Sequence, residues 1–148
     1  PQSEPIVTTG SNEAGDFVYV IYHDPTHIRL GFDHWFKGGP ITKPIKVNFS
    51  KEHELLISIG SLFPATEDIV FAGVPDDVVA GLKNRIRIEL DGQTVIDSEA
   101  ACFNSSPDQV TVGRNLIRGT SCGPDFMGEI ISIERVWPDT TAKQPDSP

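Results

Sequence analysis

Residues 110–137, VTVGRNLIRGTSCGPDFMGEIISIERVW, decide how the rest of the chain is read. They open with a short apolar alternation at 110–113 and pass through a run dense in Gly, Asn, Thr, Ser and Pro. An apolar stretch then resumes over 129–136, introduced by Phe126-Met127-Gly128. Alternation with a period of two marks β-strands, and clusters of Gly, Asn, Ser and Pro mark the turns between them. The pattern predicts a short strand at 110–113, a loop, and a strand over 129–136 that closes a sheet.

The same grammar holds upstream. Residues 84–90, NRIRIEL, alternate strictly, with Ile86, Ile88 and Leu90 on one side and Arg85, Arg87 and Glu89 on the other. Asp91-Gly92 is a tight hairpin signal, and the chain returns over 94–98. Residues 17–35, FVYVIYHDPTHIRLGFDHW, hold two β-rich runs around Asp24-Pro25-Thr26-His27, a turn by its Asp and Pro. With Pro25-Thr26 as the loop, facing residues have numbers that sum to 51, so Tyr22 faces Arg29, Val20 faces Gly31 and Val18 faces Asp33. One face then carries Phe17, Tyr19, Ile21, Ile28, Leu30 and Phe32 and is expected in the core. The other carries Val18, Val20, Tyr22, His27, Arg29, Asp33 and Trp35. A bulge in the hairpin would exchange some of these assignments.

Residues 44–49 and 53–62 supply two more strands, with Ile45, Val47 and Phe49, then Leu55, Ile57 and Ile59, facing inward. Asp76 and Asp77 suit the start of a short helix reaching Lys83. Many short strands and almost no helical periodicity predict an all-β chain, a single antiparallel β-sandwich with little helix. In order and spacing, residues 86–92, 94–97, 110–113 and the Phe126-Met127-Gly128-Glu129-Ile130 stretch resemble laminin G-like domains. The early hairpin, with Gly31-Phe32-Asp33-His34-Trp35, and the His53-Glu54-Leu55 strand are compatible with the strands that precede them. The resemblance spans most of residues 17–137 and implies a jelly roll of the concanavalin A-like superfamily, which includes lectins, adhesion modules and glucanases.

Composition narrows the functions. The net charge is −9, whereas a general nucleic-acid binder needs a basic footprint. No apolar run approaches the length that spans a bilayer, so direct membrane insertion is not expected. Residues 1–16 read as a polar linker with an edge strand at 5–9, and 138–148 as a Pro-rich tail. Both suit a module attached to other domains of a longer chain. Cys102 and Cys122 lie in polar loops, as two unpaired thiols or as a disulfide that would add roughly 3 kcal/mol. The disulfide reading favours an extracytoplasmic setting.

Catalytic patterns are thin. Related glucanases carry three carboxylates as E-x-D-x-x-E, and here Glu89-Leu90-Asp91-Gly92-Gln93-Thr94 lacks the third. No nucleophile elbow or phosphate loop is present. His23, His27 and His34, with Asp24 and Asp33, are too divided between strand faces to make a zinc cage. Laminin G-like domains often hold calcium, and Asp33, Asp97, Asp108 and Asp125 are the candidate ligands; no other cofactor is expected. Sugar recognition uses aromatic rings together with planar polar groups. Tyr22, His27, Arg29, Asp33 and Trp35 offer that mixture, extended by Arg85 and Arg87 if their strand shares the sheet. The expected function is a non-catalytic module that recognises glycan or a protein partner. A glycan-active hydrolase or lyase, or a ligand-free spacer, is the alternative.

Overall fold

The computed structural model of the chain describes residues 2–138, so the tail over 139–148 lies outside the described residues. Eight strands follow in order: β1 (Ser3–Ser11), β2 (Ala14–Asp24), β3 (His27–His34), β4 (Ile45–Lys46), β5 (Leu55–Ser58), β6 (Arg85–Leu90), β7 (Gln93–Glu99) and β8 (Thr111–Val112). Among the described residues one α-helix, α1 (Asp76–Lys83), stands between β5 and β6, after two short 3-10 turns at Gly60–Leu62 and Ile69–Phe71. The strands form two antiparallel sheets, ordered β4-β3-β2-β1-β8 and β5-β6-β7. Between them lies the main core, built of Val7, Val18, Val20, Ile28, Leu30 and Phe32 from the larger sheet and Ile86, Ile88, Leu90 and Ile96 from the smaller. The expected all-β sandwich with little helix is the observed architecture.

Local chemistry accounts for most of these elements. In β6 the isoleucines are buried and the arginines exposed, as strict alternation requires. The turn that follows places Asp91 at φ 50 and Gly92 at φ 81, the paired positive angles of a two-residue type I′ hairpin. Helix α1 begins with Asp76 and Asp77 in its first turn and ends on Lys83, both favourable to its dipole. The Lys83 ammonium is buried and donates to the carbonyls of Gly60 (2.9 Å) and Phe63 (3.0 Å). Burial lowers its pKa.

The early hairpin departs from its expected register. Asp24 faces His27, but beyond an irregularity at His23 the pairs become Tyr22 with Ile28, Val20 with Leu30 and Val18 with Phe32. One extra residue shifts the sum of facing numbers from 51 to 50, and a strand shifted by one residue exchanges its faces. Val18, Val20 and Tyr22 therefore look into the sandwich with Ile28, Leu30 and Phe32. Phe17, Tyr19 and Ile21 look out and are covered by Trp35 and a loop carrying Ile117 and Cys122. That loop lies flat on the Phe17 ring because residue 119 is glycine: a Cβ there would stand 1.9 Å from the ring.

Two expectations about the chain ends are corrected. The presumed linker holds β1, nine residues long, paired with β2 on one side and β8 on the other. Its polar Thr8 and Thr9 are fully buried because neighbouring groups accept their hydroxyl protons. The closing strand over 129–136 does not form. After the Phe126 N–H donates to the Gly113 carbonyl (2.9 Å), the chain runs unpaired toward Leu62.

A polar latch fastens the β6–β7 turn. Asp91 accepts from His53 Nδ1 (2.7 Å) and from the Glu54 N–H (2.8 Å), while His53 Nε2 meets the Asn48 carbonyl (2.8 Å). The hydrogen bond to Asp91 raises the His53 pKa above 6.5, and the same bond lowers the Asp91 pKa below 3.8. The histidine's contribution is full below pH 6.5 and lost as pH rises through its folded value. The aspartate's is full above pH 3.8 and lost on acidification. His53→Gln should therefore destabilise most between these two pH values, with the difference from the parent in urea unfolding shrinking at alkaline pH. In the core, Ile88 is fully buried, and Ile88→Ala should cost about 3 kcal/mol in the same measurement.

Candidate binding surface

A buried carboxylate sits behind a rim that presents aromatic side chains. Asp16, at the start of β2, pairs across the hairpin with His34, at the end of β3. Its Oδ1 meets His34 Nδ1 at 2.6 Å and its Oδ2 accepts the Phe103 N–H at 2.8 Å. Burial pushes the Asp16 pKa up, against the pull of His34 and the Phe103 amide. The His34 ring lies parallel to Phe103 at 4.1 Å, which pins the loop after β7 to the hairpin's end.

From that anchor the chain turns sharply. The His34 carbonyl accepts the N–H groups of Lys37 (2.8 Å) and Gly38 (3.0 Å), and the His34 N–H reaches the Gly38 carbonyl (3.1 Å). The turn holds Phe36 at φ 71, a left-handed conformation that costs a bulky residue about 1–3 kcal/mol. Phe36 is 81% exposed. Trp35 stands beside it, with ring centroids 6.2 Å apart edge to face, and rests on Phe17 at 5.7 Å.

The loop covering the outer face of the larger sheet is also fixed from within. Asn115 Nδ2 donates to the carbonyls of Gly119 (2.8 Å) and Cys122 (3.3 Å), and Asn115 Oδ1 accepts the Gly119 N–H (3.3 Å). The Ser121 hydroxyl donates to Asp33, and Asn12 Nδ2 donates to the Ile117 carbonyl at 2.9 Å. Ile117 is turned in, while Leu116, Arg118 and Thr120 face solvent, with Arg118 at φ 65.

The residues picked from sequence divide among separate surfaces. Arg29 and Asp33 are on the outer face of the larger sheet, Arg29 Nε donating to the Thr42 carbonyl (2.8 Å). Trp35 is half-buried beside them. Tyr22 is on the core side because of the register shift, and its hydroxyl donates to the buried Glu4 carboxylate at 2.8 Å. Burial and Glu4 push its pKa up. His27 is at the hairpin tip with Asp24 (2.9 Å). The Thr26 N–H first, and His27 after it, hold Asp24 at a pKa of about 2. Arg85 and Arg87 belong to the smaller sheet, where they bond Asp97 (2.5 Å) and Glu89 (3.3 Å), so they cannot extend the hairpin face. Phe36, Asp16 and Phe103 were missed. Only the first leaves a trace in the sequence, as an aromatic residue running into Lys37-Gly38-Gly39.

The expected disulfide is absent, since both cysteines are free. Cys102 packs against the core between the sheets and Cys122 against Phe17 and Tyr19, so the larger sheet stands between them. The four calcium candidates are likewise apart: Asp33 takes Ser121, Asp97 takes Arg85, Asp108 takes Ser106 and Asp125 approaches Arg114. Among the described residues no three His, Cys, Asp or Glu side chains gather as a metal site. Nor is any helix among them long and apolar enough to cross a membrane. Depressions of about 370 and 570 Å³ lie beside α1. Asp77 and Glu99 line the larger one but are both exposed, whereas a glycosidase acid sits in an apolar pocket.

Fold and rim together define a class, an antiparallel β-sandwich with a rigid aromatic edge. No family model, curated protein or solved structure matches the chain. Burial pushes both thiols up to about 11, with Asp16 adding to the effect at Cys102 and Asp33 at Cys122. Thiolate is the reactive form, so in native protein at neutral pH both cysteines should label slowly with an aromatic disulfide reagent. Denaturant without reductant should release two titratable thiols.

Proposed function

We propose that this chain is a non-catalytic binding module, part of a longer protein outside the cytoplasm, that recognises glycan through the Trp35–Phe36 rim. One observation carries the reading. A Phe ring is held almost wholly in water, on a backbone conformation that costs stability, by a turn anchored to a buried carboxylate. Strain of this kind persists where function holds it. An exposed ring beside a half-exposed Trp suits stacking on the apolar face of a sugar, and Arg118, Lys37 and Thr120 are exposed on the two loops to bond hydroxyls. The same rim would fit an apolar patch on a protein, the second ligand class for this surface. Placement outside the cytoplasm rests on the laminin G-like resemblance alone, because the unpaired cysteines lend it nothing.

Phe36→Gly separates ligand binding from folding. Glycine relieves the left-handed strain, so the variant should unfold at a higher temperature or the same one. It should also lose its signal on a glycan array to which the parent binds. Binding that survives the substitution would remove the rim from the proposal.

A further inference from the structure

Residues 128–137, GEIISIERVW, leave the sandwich as an arm. Among the described residues, none of the arm's N–H or C=O groups bonds another backbone group, and every residue over 127–137 is exposed. The arm is held at its two ends. Met127 N–H reaches Glu4 (3.2 Å) and Ile130 rests on Gly113 at the start. At the other end Arg135 Nη2 donates to the Leu62 carbonyl (3.3 Å), and Trp137 packs edge to face on Phe63 at 5.9 Å. Between these points Ile131 and Ile133 are 62% and 64% exposed. Open amides beside exposed β-branched side chains make a template for another strand.

The arm's own sequence is self-complementary. We propose that it pairs antiparallel with the arm of a second copy, about a two-fold axis through Ser132. In that register Ile131 faces Ile133 of the other copy and Glu129 faces Arg135, and symmetry repeats each contact. Four isoleucines then share one face between two Glu–Arg pairs. Ile130 and Glu134 face each other on the opposite side, where the Glu stem covers the isoleucine. Centring the axis on Ile131 or Ile133 loses both ion pairs, and parallel pairing sets Glu129 against Glu129. The Arg135 hydrogen bond to Leu62 uses one N–H of the guanidinium, leaving others for Glu129 of the second copy.

The test reverses the charges. By sedimentation, Glu129→Arg and Arg135→Glu should each self-associate about tenfold more weakly than the parent, since two attractions become two repulsions. An equimolar mixture of the two should recover the parent's association, because the hetero-pair restores opposite charges at both contacts. In parallel, oxidised Ser132→Cys should give a crosslinked dimer and Glu134→Cys should not, because only residue 132 meets itself on the axis. The native thiols are buried or half-buried and do not compete. A parent that stays monomeric at all concentrations, a mixture no stronger than its components, or equal crosslinking at 132 and 134 would each overturn the proposal.

Discussion

The Asp16 carboxylate is the constraint on which the rim of the molecule depends. It is fully buried, and its two oxygens join elements far apart in sequence: the end of β3 through His34 and the loop after β7 through Phe103. A buried charge that loses a partner typically costs about 3–5 kcal/mol, more than most single contacts contribute. Nearby, Thr9 donates to Ser61 and Lys83 caps two carbonyls. Among the described residues no buried side-chain polar atom lacks a partner. A fully satisfied network in a low-dielectric site rigidifies what it touches, and here it touches the turn that lifts Phe36 into solvent.

How much of this was legible in the sequence depended on parity. Strand β6 alternates without interruption, so its two faces were read correctly from residue types, and Asp91-Gly92 announced its turn through the two backbone angles it can adopt. In β3 the assignment also held. In β2 it inverted, because the sum rule for a two-residue loop was sound at Asp24 and His27 and failed one residue later. A bulge leaves no mark in composition: His23 fits a paired strand as well as a bulged one. What inverted was the candidate surface, since Tyr22 went into the sandwich and the aromatic residues meant for the core became the floor beneath the covering loop.

The two ends failed for opposite reasons. Residues 3–11 are polar and carry Pro5, which weakens any strand assignment, yet they sit in the interior of the sheet because hydroxyls can be buried once each finds an acceptor. Residues 129–136 have the apolar alternation of a strand but, among the described residues, pair with the edge of neither sheet. Pattern reports what a segment could pair with, and pairing needs an edge within reach. The all-β sandwich and its hairpins formed as the strand pattern predicts, and the arm is where the chain departs from the expected closing strand.

The placement of the two thiols bears on how the protein matures. Nothing in the sandwich waits for an oxidant: its strands, its buried carboxylate and its loop over Phe17 form with both cysteines reduced. Maturation is therefore indifferent to redox potential. The same folded state is accessible in an oxidising or a reducing compartment, and the domain expressed in a reducing cytosol needs no thiol chemistry to reach it.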